Sequence, residues 1–349
     1  MPATKPLKLV AIGGGTGLST LLSGLKHYLN AHASATQAIA DRGAVPPPDA
    51  LSGDPAQWSL ASLTAIVTVT DDGKSSGRLR EEFGVLPPGD IRNCLVALAD
   101  QERLPTQLFG YRFPGDGALG GHSLGNLIIL ALDQMSGDFL AAINQAGTLL
   151  GIKARVLPST LDYVDLVARV GDRTLRGQTM IKSQGVPIRH LSLVPAGARA
   201  LPEAVEAILA ADLITLGPGS LFTSVIPNLL VEGIAQAVAD SGAKKMYICN
   251  AMTEADETDG LSAVDHVKQL LEYGRGLSLD FALFNSMPIS PEMRQRYAVE
   301  KATVLEPPAS APAELSQIHF VSLPLASEAR FVRHDPERLS RAIFATYNS

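Results

Sequence analysis

Two aspartates, two serines, two glycines and two arginines crowd one short stretch of this chain, Thr70-Asp71-Asp72-Gly73-Lys74-Ser75-Ser76-Gly77-Arg78-Leu79-Arg80. Carboxylates grouped like this can hold a metal, accept ribose hydroxyls or act as a base. Hydroxyls, arginines and bare glycine amides suit phosphate. A solvated loop with a capping aspartate would use the same residue types. What sharpens the reading is the element before it. Leu63 to Val69 is an apolar run that predicts a buried strand. In open α/β sheets, ligands bind just beyond the carboxyl ends of the strands.

The N-terminus repeats this design. Leu7 to Ile12 predicts a strand, and Gly13-Gly14-Gly15-Thr16-Gly17 follows it. Leu18, Leu21, Leu22 and Leu25 then fall at helical spacing. Glycines let backbone approach an anion, and a helix N-terminus offers unpaired N–H groups. Leu18 stands where the dinucleotide fingerprint needs its third glycine, and no acid ends a second strand at the usual distance. The spacing is not a P-loop either. A nicotinamide-dependent oxidoreductase is therefore the weakest of the readings.

Further polar clusters follow expected strands or open expected helices. Pro87-Pro88-Gly89-Asp90-Ile91-Arg92-Asn93 introduces a helix, with Asp90 a candidate cap. Gly121-His122-Ser123-Leu124-Gly125-Asn126 opens the next. Ser123 fits a cap there, and His122 a phosphate contact, a proton carrier or a surface residue. Gly217-Pro218-Gly219-Ser220 follows a strand over Asp212 to Leu216. It suits a phosphate cradle or a simple turn. Asn250 to Thr253 ends a strand over Lys244 to Cys249.

The elements that must position these loops alternate strand and helix. Helices are expected over Ile91 to Leu104, Ser123 to Met135, Pro202 to Ala210 and Val225 to Ala239, the last interrupted by Gly233. The fold class is α/β: a Rossmann-like, doubly wound, mainly parallel sheet in one domain over 1–349. An antiparallel β excursion is expected around 153–194. Residues 30–62, rich in Ala, Pro, Ser, Asp and Gly, read as a mobile surface insertion, with Trp58 pinning its end.

The chain has 349 residues, is 46% hydrophobic and carries a formal net charge of −6. That is ample for a core, and the acidic balance argues against non-specific nucleic-acid binding. No apolar run reaches membrane-spanning length. Met1 to Pro6 lack the apolar core of a signal peptide. Cys94 and Cys249 lie far apart in apolar contexts, as buried thiols of a reducing cytoplasm.

Taken together, these blocks closely resemble the bacterial YvcK family of gluconeogenesis factors, within the CofD-like superfamily. The resemblance runs through Gly13 to Ser19, Asp71 to Arg80, Leu86 to Asn93, Gly121 to Leu127 and Val156 to Ser159. It continues through Gly217 to Leu230, Cys249 to Thr253, Glu257 to Gly260 and Asp265-His266. It spans roughly residues 7 to 345 apart from the insertion. The family motif is Asp-Asp-Gly-Gly-Ser-Ser-Gly, and this chain has Lys74 at the second glycine. If that position needs positive φ, lysine is a strained choice there.

The resemblance implies a protein that binds UDP-N-acetylglucosamine and influences cell shape and wall synthesis during gluconeogenic growth. Metabolic or wall enzymes are its implied partners, and a homo-oligomer is open. The family segment around Tyr297 is implied to contribute to UDP-sugar binding, and so is the segment around Arg333. A Tyr ring can stack on uracil and an Arg fork can take diphosphate oxygens. Gly13 to Gly17, Ser75, Ser76, Arg78, Arg92, Asn93, His122, Ser123, Asn126, Gly217 to Ser220, Asn228, Asn250 and Thr253 complete the expected ligand set. The CofD branch instead transfers a phospholactyl group from a guanosine diphosphate-linked donor. On that alternative Asp71, Asp72 and Asp90 are the catalytic candidates, and Asp72 with Asp90 would hold magnesium. Binding alone requires no cofactor.

Overall fold

The structure, a computed structural model, describes residues 6–29, 58–170, 172–182, 188 and 190–349. Residues 30–57 of the expected insertion lie outside the described residues. Its end does not: Trp58 is buried and stacks on Phe344 with ring centroids 5.4 Å apart.

In chain order the strands begin β1 (Leu7–Gly13), β2 (Leu60–Val67) and β3 (Arg155–Pro158). Three short ones follow, β4 (Asp165–Val170), β5 (Arg173–Arg176) and β6 (His190–Val194). Then come β7 (Leu213–Leu216), β8 (Lys244–Ile248), β9 (Phe281–Asn285) and β10 (His319–Leu323). A closing hairpin joins β11 (Ala326–Glu328) to β12 (Val332–His334).

Among the described residues, seven strands form the main sheet in the order β10-β9-β8-β7-β1-β2-β3. Every neighbouring pair is parallel. Chain order runs outward from β1 to β3 on one side and from β7 to β10 on the other. The switch point lies between β1 and β7, where Ile12 pairs with Leu216 and Gly13 of β1 is level with Val67 of β2. Leu9 to Ile12 are at most 2% exposed, which explains the unbroken apolar run of β1. Both of its faces are covered, and alternation would place polar groups in the core.

The expected α/β class is found, with several boundaries moved. β2 starts at Leu60 rather than Leu63, because Leu60 and Ser62 pair with Leu7 and Lys8. The helix expected over 91–104 is two, Gly89–Leu98 and Leu104–Gly110, with Pro105 restarting the chain in the first turn of the second. The helical stretch over 225–239, expected with an interruption at Gly233, is interrupted there and also starts differently. A π-turn at Leu221–Val225 leads into Ile226–Leu229, and Gly233 precedes Ile234–Asp240. The antiparallel excursion is the three-stranded sheet β5-β4-β6. β3, inside the range expected for it, belongs to the parallel sheet through β2.

Helix Gly15–Leu25 carries the glycine loop and packs on helices Gly89–Leu98 and Pro336–Tyr347. Gly24 makes the second contact possible, since a Cβ there would collide with the Pro336 carbonyl and the Ser340 hydroxyl.

Candidate functional site

The carboxyl edge of the sheet opens into two adjoining lobes, each with a volume of about 300 Å³. The first sits at the switch point. Gly14 to Gly17 and Thr20 form one wall, Pro218 to Ser220 with Ser224 the facing one. Asn250 to Glu254, Tyr297 and Val332 to His334 close it.

This lobe is built largely from backbone. Gly14 supplies no side-chain cap to helix Gly15–Leu25; Asp90 takes the Gly15 N–H, which leaves the amides of Thr16 and Gly17 for an anion. Gly15 has φ +62°, and Gly219 has φ +148°, which a side chain would strain. The walls touch so closely that a Cβ on Gly17 would lie 2.5 Å from the Pro218 oxygen. Asn250 fixes the second wall: its Oδ1 accepts from Gly219 N (3.2 Å) and its Nδ2 donates to Gly219 O (3.0 Å). Buried Asn228 fixes the first, donating to the carbonyls of Gly13 (3.1 Å) and Ser224 (2.8 Å).

Tyr297 and Arg333 reach the same lobe from the far end of the chain. The Tyr297 hydroxyl accepts from Val332 N at 3.0 Å, which ties helix Pro291–Val299 to the closing hairpin. Arg333 is exposed, 5.1 Å from the Phe331 ring centroid. Beside it, burial lowers the His334 pKa to about 4, so this lining imidazole is neutral.

The second lobe is built from side chains. Asp71, Ser75 and Ser76 come from the loop after β2 and the helix it opens, Lys74–Phe83. Asp90, Arg92 and Asn93 come from the next helix, and Arg112 and Asn126 from beyond it. Gln178, Thr179 and Lys182 reach in from the excursion. Ser75 Oγ accepts from Asn126 Nδ2 (3.0 Å) and lies 2.9 Å from His122 Nδ1. Burial, then Arg78, lowers the His122 pKa.

Asp90 stands between the lobes. A Cβ on Gly14 would come within 2.9 Å of its Oδ2, and its carboxylate accepts from the Gly15 backbone. Burial, reinforced by Asp71, lifts its pKa to about 7. On the other flank, Lys182 lies 3.3 Å from Ser220 Oγ, 3.6 Å from Glu254 and 3.0 Å from Glu257. Burial opposes the lysine's charge, yet the two carboxylates outweigh it and raise its pKa. Burial and then Glu257 lift Glu254 to about 7. Buried Glu257 also accepts from Phe222 N (2.8 Å), Thr223 N (3.1 Å) and Thr223 Oγ1 (3.1 Å).

Of the expected residues, several lie outside both linings. Asp72 accepts from Thr179 N (2.9 Å) and Oγ1 (2.8 Å), so the carboxylate sharing the second lobe with Asp90 is Asp71. Arg78 donates to the Gly120 carbonyl at 2.6 Å. Ser123 is buried and donates to Phe109 O, and His122 stands behind Ser75. Lys74, at the departure from the family motif, has φ +45°. Among the described residues, no three His, Cys, Asp or Glu side chains converge as a metal site.

The sequence reading passed over Gln178, Lys182 and Glu254. Gln178 Nε2 donates to Thr70 Oγ1 (2.7 Å) and Thr223 O (2.8 Å), joining the loops after β2 and β7. Glu254 directly follows the Asn250–Thr253 loop, a signal available in the sequence. Nothing marks Gln178 or Lys182, because only the excursion's fold returns them to the sheet edge.

Fold and site thus define a doubly wound α/β protein with a backbone-lined cleft at its switch point and a charged lobe beside it. A family model described as 2-phospho-L-lactate transferase CofD matches residues 9–321. The gluconeogenesis factor of Bacillus subtilis is 43% identical over 296 residues, covering 84% of this chain and 84% of that protein. A putative gluconeogenesis factor of Thermotoga maritima is 42% identical over 345 residues, covering 97% and 98%. A crystal structure of a UPF0052-family protein from Bacillus halodurans has a TM-score of 0.83 at 38% identity, covering 98% of this chain and 99% of its own. The chain belongs to the CofD family and, within it, to the gluconeogenesis factors.

Proposed function

We propose that the first lobe binds UDP-N-acetylglucosamine or a close nucleotide sugar, and that the protein acts as a regulator of metabolism and wall synthesis. One observation carries this reading. Tyr297 and Arg333, distant in sequence from the glycine loops, line the same lobe as Gly14 to Gly17 and Pro218 to Ser220. A ring, a guanidinium, open helix-start amides and glycine backbone suit a uracil joined to a diphosphate. The relatives' shared name supports a role in gluconeogenic growth. In this reading the protein works in the cytoplasm through enzyme partners, and binding needs no cofactor.

A second reading rests on Asp71 and Asp90 facing the lobe beside the nucleotide. Two carboxylates and substrate phosphates are a usual magnesium donor set, and such a site would assist phospholactyl-type transfer. The two readings separate in one experiment. The protein is titrated calorimetrically with UDP-N-acetylglucosamine, UDP-glucose, GDP and NAD, with and without magnesium, and the mixtures are assayed for UMP and GMP. Magnesium-independent UDP-sugar binding without turnover is expected. Magnesium-dependent release of UMP or GMP would replace the regulator with a transferase.

A further inference from the structure

The first lobe sets a carboxyl group against its glycine backbone. Glu254 lines the lobe with Asn250 and Ser220. Its Oε2 accepts from the Ser220 hydroxyl, and its Oε1 accepts from Asn250 Nδ2 at 3.1 Å. Ser220 ends the second glycine loop, and Asn250 is the residue that pins Gly219. Glu254 is therefore fixed against the same backbone that would face a phosphate.

The charge at this wall does not cancel. Lys182, from helix Gln178–Lys182, pairs with two carboxyl groups, Glu254 at 3.6 Å and Glu257 at 3.0 Å. Glu257 is buried, nearer the lysine and held by three further hydrogen bonds from Phe222 and Thr223, so it is the committed partner. Glu254 is the surplus carboxyl. Tyr247 of β8, near enough to feel its charge, keeps its proton because burial raises its pKa. Around the rest of the lobe stand exposed Arg333, neutral His334, and Asp90 against Gly14 and Gly15. Burial and then Glu257 bring the Glu254 pKa to about 7, so near neutral pH it is divided between its two forms.

Tyr297 is tied to the closing hairpin, whereas Glu254 is tied to Ser220 and to Lys182 of the second lobe, so the two mark different sides of the first lobe. With uracil at Tyr297, the far end of the diphosphate lies toward Glu254. We infer that Glu254 reads the charge on that end: it makes the first lobe take a diphosphate esterified at both ends and reject one with a free terminal phosphate. The inference rests on the nucleotide-sugar reading of this lobe. An esterified diphosphate carries less negative charge than a free one, and the hydroxyl and amide groups of its sugar can donate to a carboxylate. A free terminal phosphate meets the carboxylate with like charge alone. Such repulsion across a few ångströms of partly buried space is worth about tenfold in affinity or more.

Wild type, Glu254→Gln and Glu254→Asp are titrated calorimetrically with UDP-N-acetylglucosamine and with UDP, from about pH 6 to about pH 8. The quantity compared is each protein's preference, the ratio of the two affinities. Glutamine keeps an acceptor for Ser220 and removes the charge, and melting curves at each pH report whether the variants are folded. Above about pH 7 the wild type should prefer the nucleotide sugar about tenfold more strongly than Glu254→Gln does, and the two preferences should converge toward about pH 6. Titration of UDP's own terminal phosphate and of Asp90 is common to both proteins and drops out of that comparison. Glu254→Asp, which restores the charge, should recover most of the pH-dependent preference. Equal preferences in wild type and Glu254→Gln at every pH would overturn the inference and leave the nucleotide-sugar reading intact. So would Glu254→Asp behaving as Glu254→Gln does, since the shape of the side chain rather than its charge would then matter. If UDP-N-acetylglucosamine does not bind the wild type at all, the nucleotide-sugar reading fails and this inference falls with it.

Discussion

The two lobes meet where Asp90 of the second touches Gly14 and Gly15 of the first, and they are made differently. The first is shaped by main chain: a helix start with open amides and two glycine loops in contact, with Asn250 and Asn228 holding the loops by their backbone groups. The second is shaped by long charged side chains from four separate stretches. Backbone walls have few ways to adjust, so their tolerance for a single added atom is low. Side-chain walls repack, and their weak point is charge balance. Perturbations of equal size should therefore act unequally on the two.

The largest effect is expected where the two glycine loops touch. Gly17→Ala places a methyl 2.5 Å from the Pro218 oxygen and 2.7 Å from the Gly219 Cα, backbone atoms that cannot swing aside. The substitution should cost about 3 kcal/mol in urea unfolding, the upper end for overpacking, and remove most UDP-sugar affinity. Near-normal values of both would show that the first lobe is as pliable as the second.

Arg333→Ala tests the first lobe's own side chains. The residue is exposed, so stability should hold. Loss of a charge-assisted hydrogen bond, about 1.5–3 kcal/mol, should weaken UDP-N-acetylglucosamine about ten- to a hundredfold in calorimetry. Unchanged affinity would remove Arg333 from the ligand set.

Asp90→Asn probes the contact between the lobes. The folded protein holds this proton up to about pH 7, against an ordinary carboxyl value of 3.8. Between those values the native state binds more protons than the unfolded one, so this group lowers stability as pH rises. The variant keeps an acceptor for Gly15 N and removes the titration. Its melting temperature should gain on the wild type by a few degrees from about pH 4 to pH 7 and stay level above. A constant difference across that range would mean that Asp90 is ionised throughout.

The smallest effect belongs to the second lobe's entrance. Lys74 occupies φ +45°, a region that costs a non-glycine residue about 1–3 kcal/mol. Lys74→Gly relieves that strain but gives back unfolded-chain entropy. A net gain of about 1 kcal/mol is expected from urea midpoints. A loss would place the lysine side chain among the contacts that stabilise the loop.

What the sequence alone determined is local. Apolar runs ending in glycine or aspartate marked β1, β2 and β7 and the loops after them, because a strand buried on both faces must be apolar along its whole length. The cluster types were readable for the same reason: glycine where backbone approaches an anion, asparagine and arginine beside it. Long ordered motifs carried the family. Tertiary structure decided the rest. Asp72 and Arg78 sit inside the most suggestive motif, yet one accepts from Thr179 and the other donates to Gly120. Motif membership fixes a residue's place along the chain, and the direction of its side chain follows from which partner the fold brings near. Lys182 shows the converse. It lies in a polar stretch that reads as an excursion, and only the return of β5 and its following helix to the sheet edge sets it against Ser220, Glu254 and Glu257. Contacts so far apart in sequence depend on the packing of the whole chain, which no local pattern records.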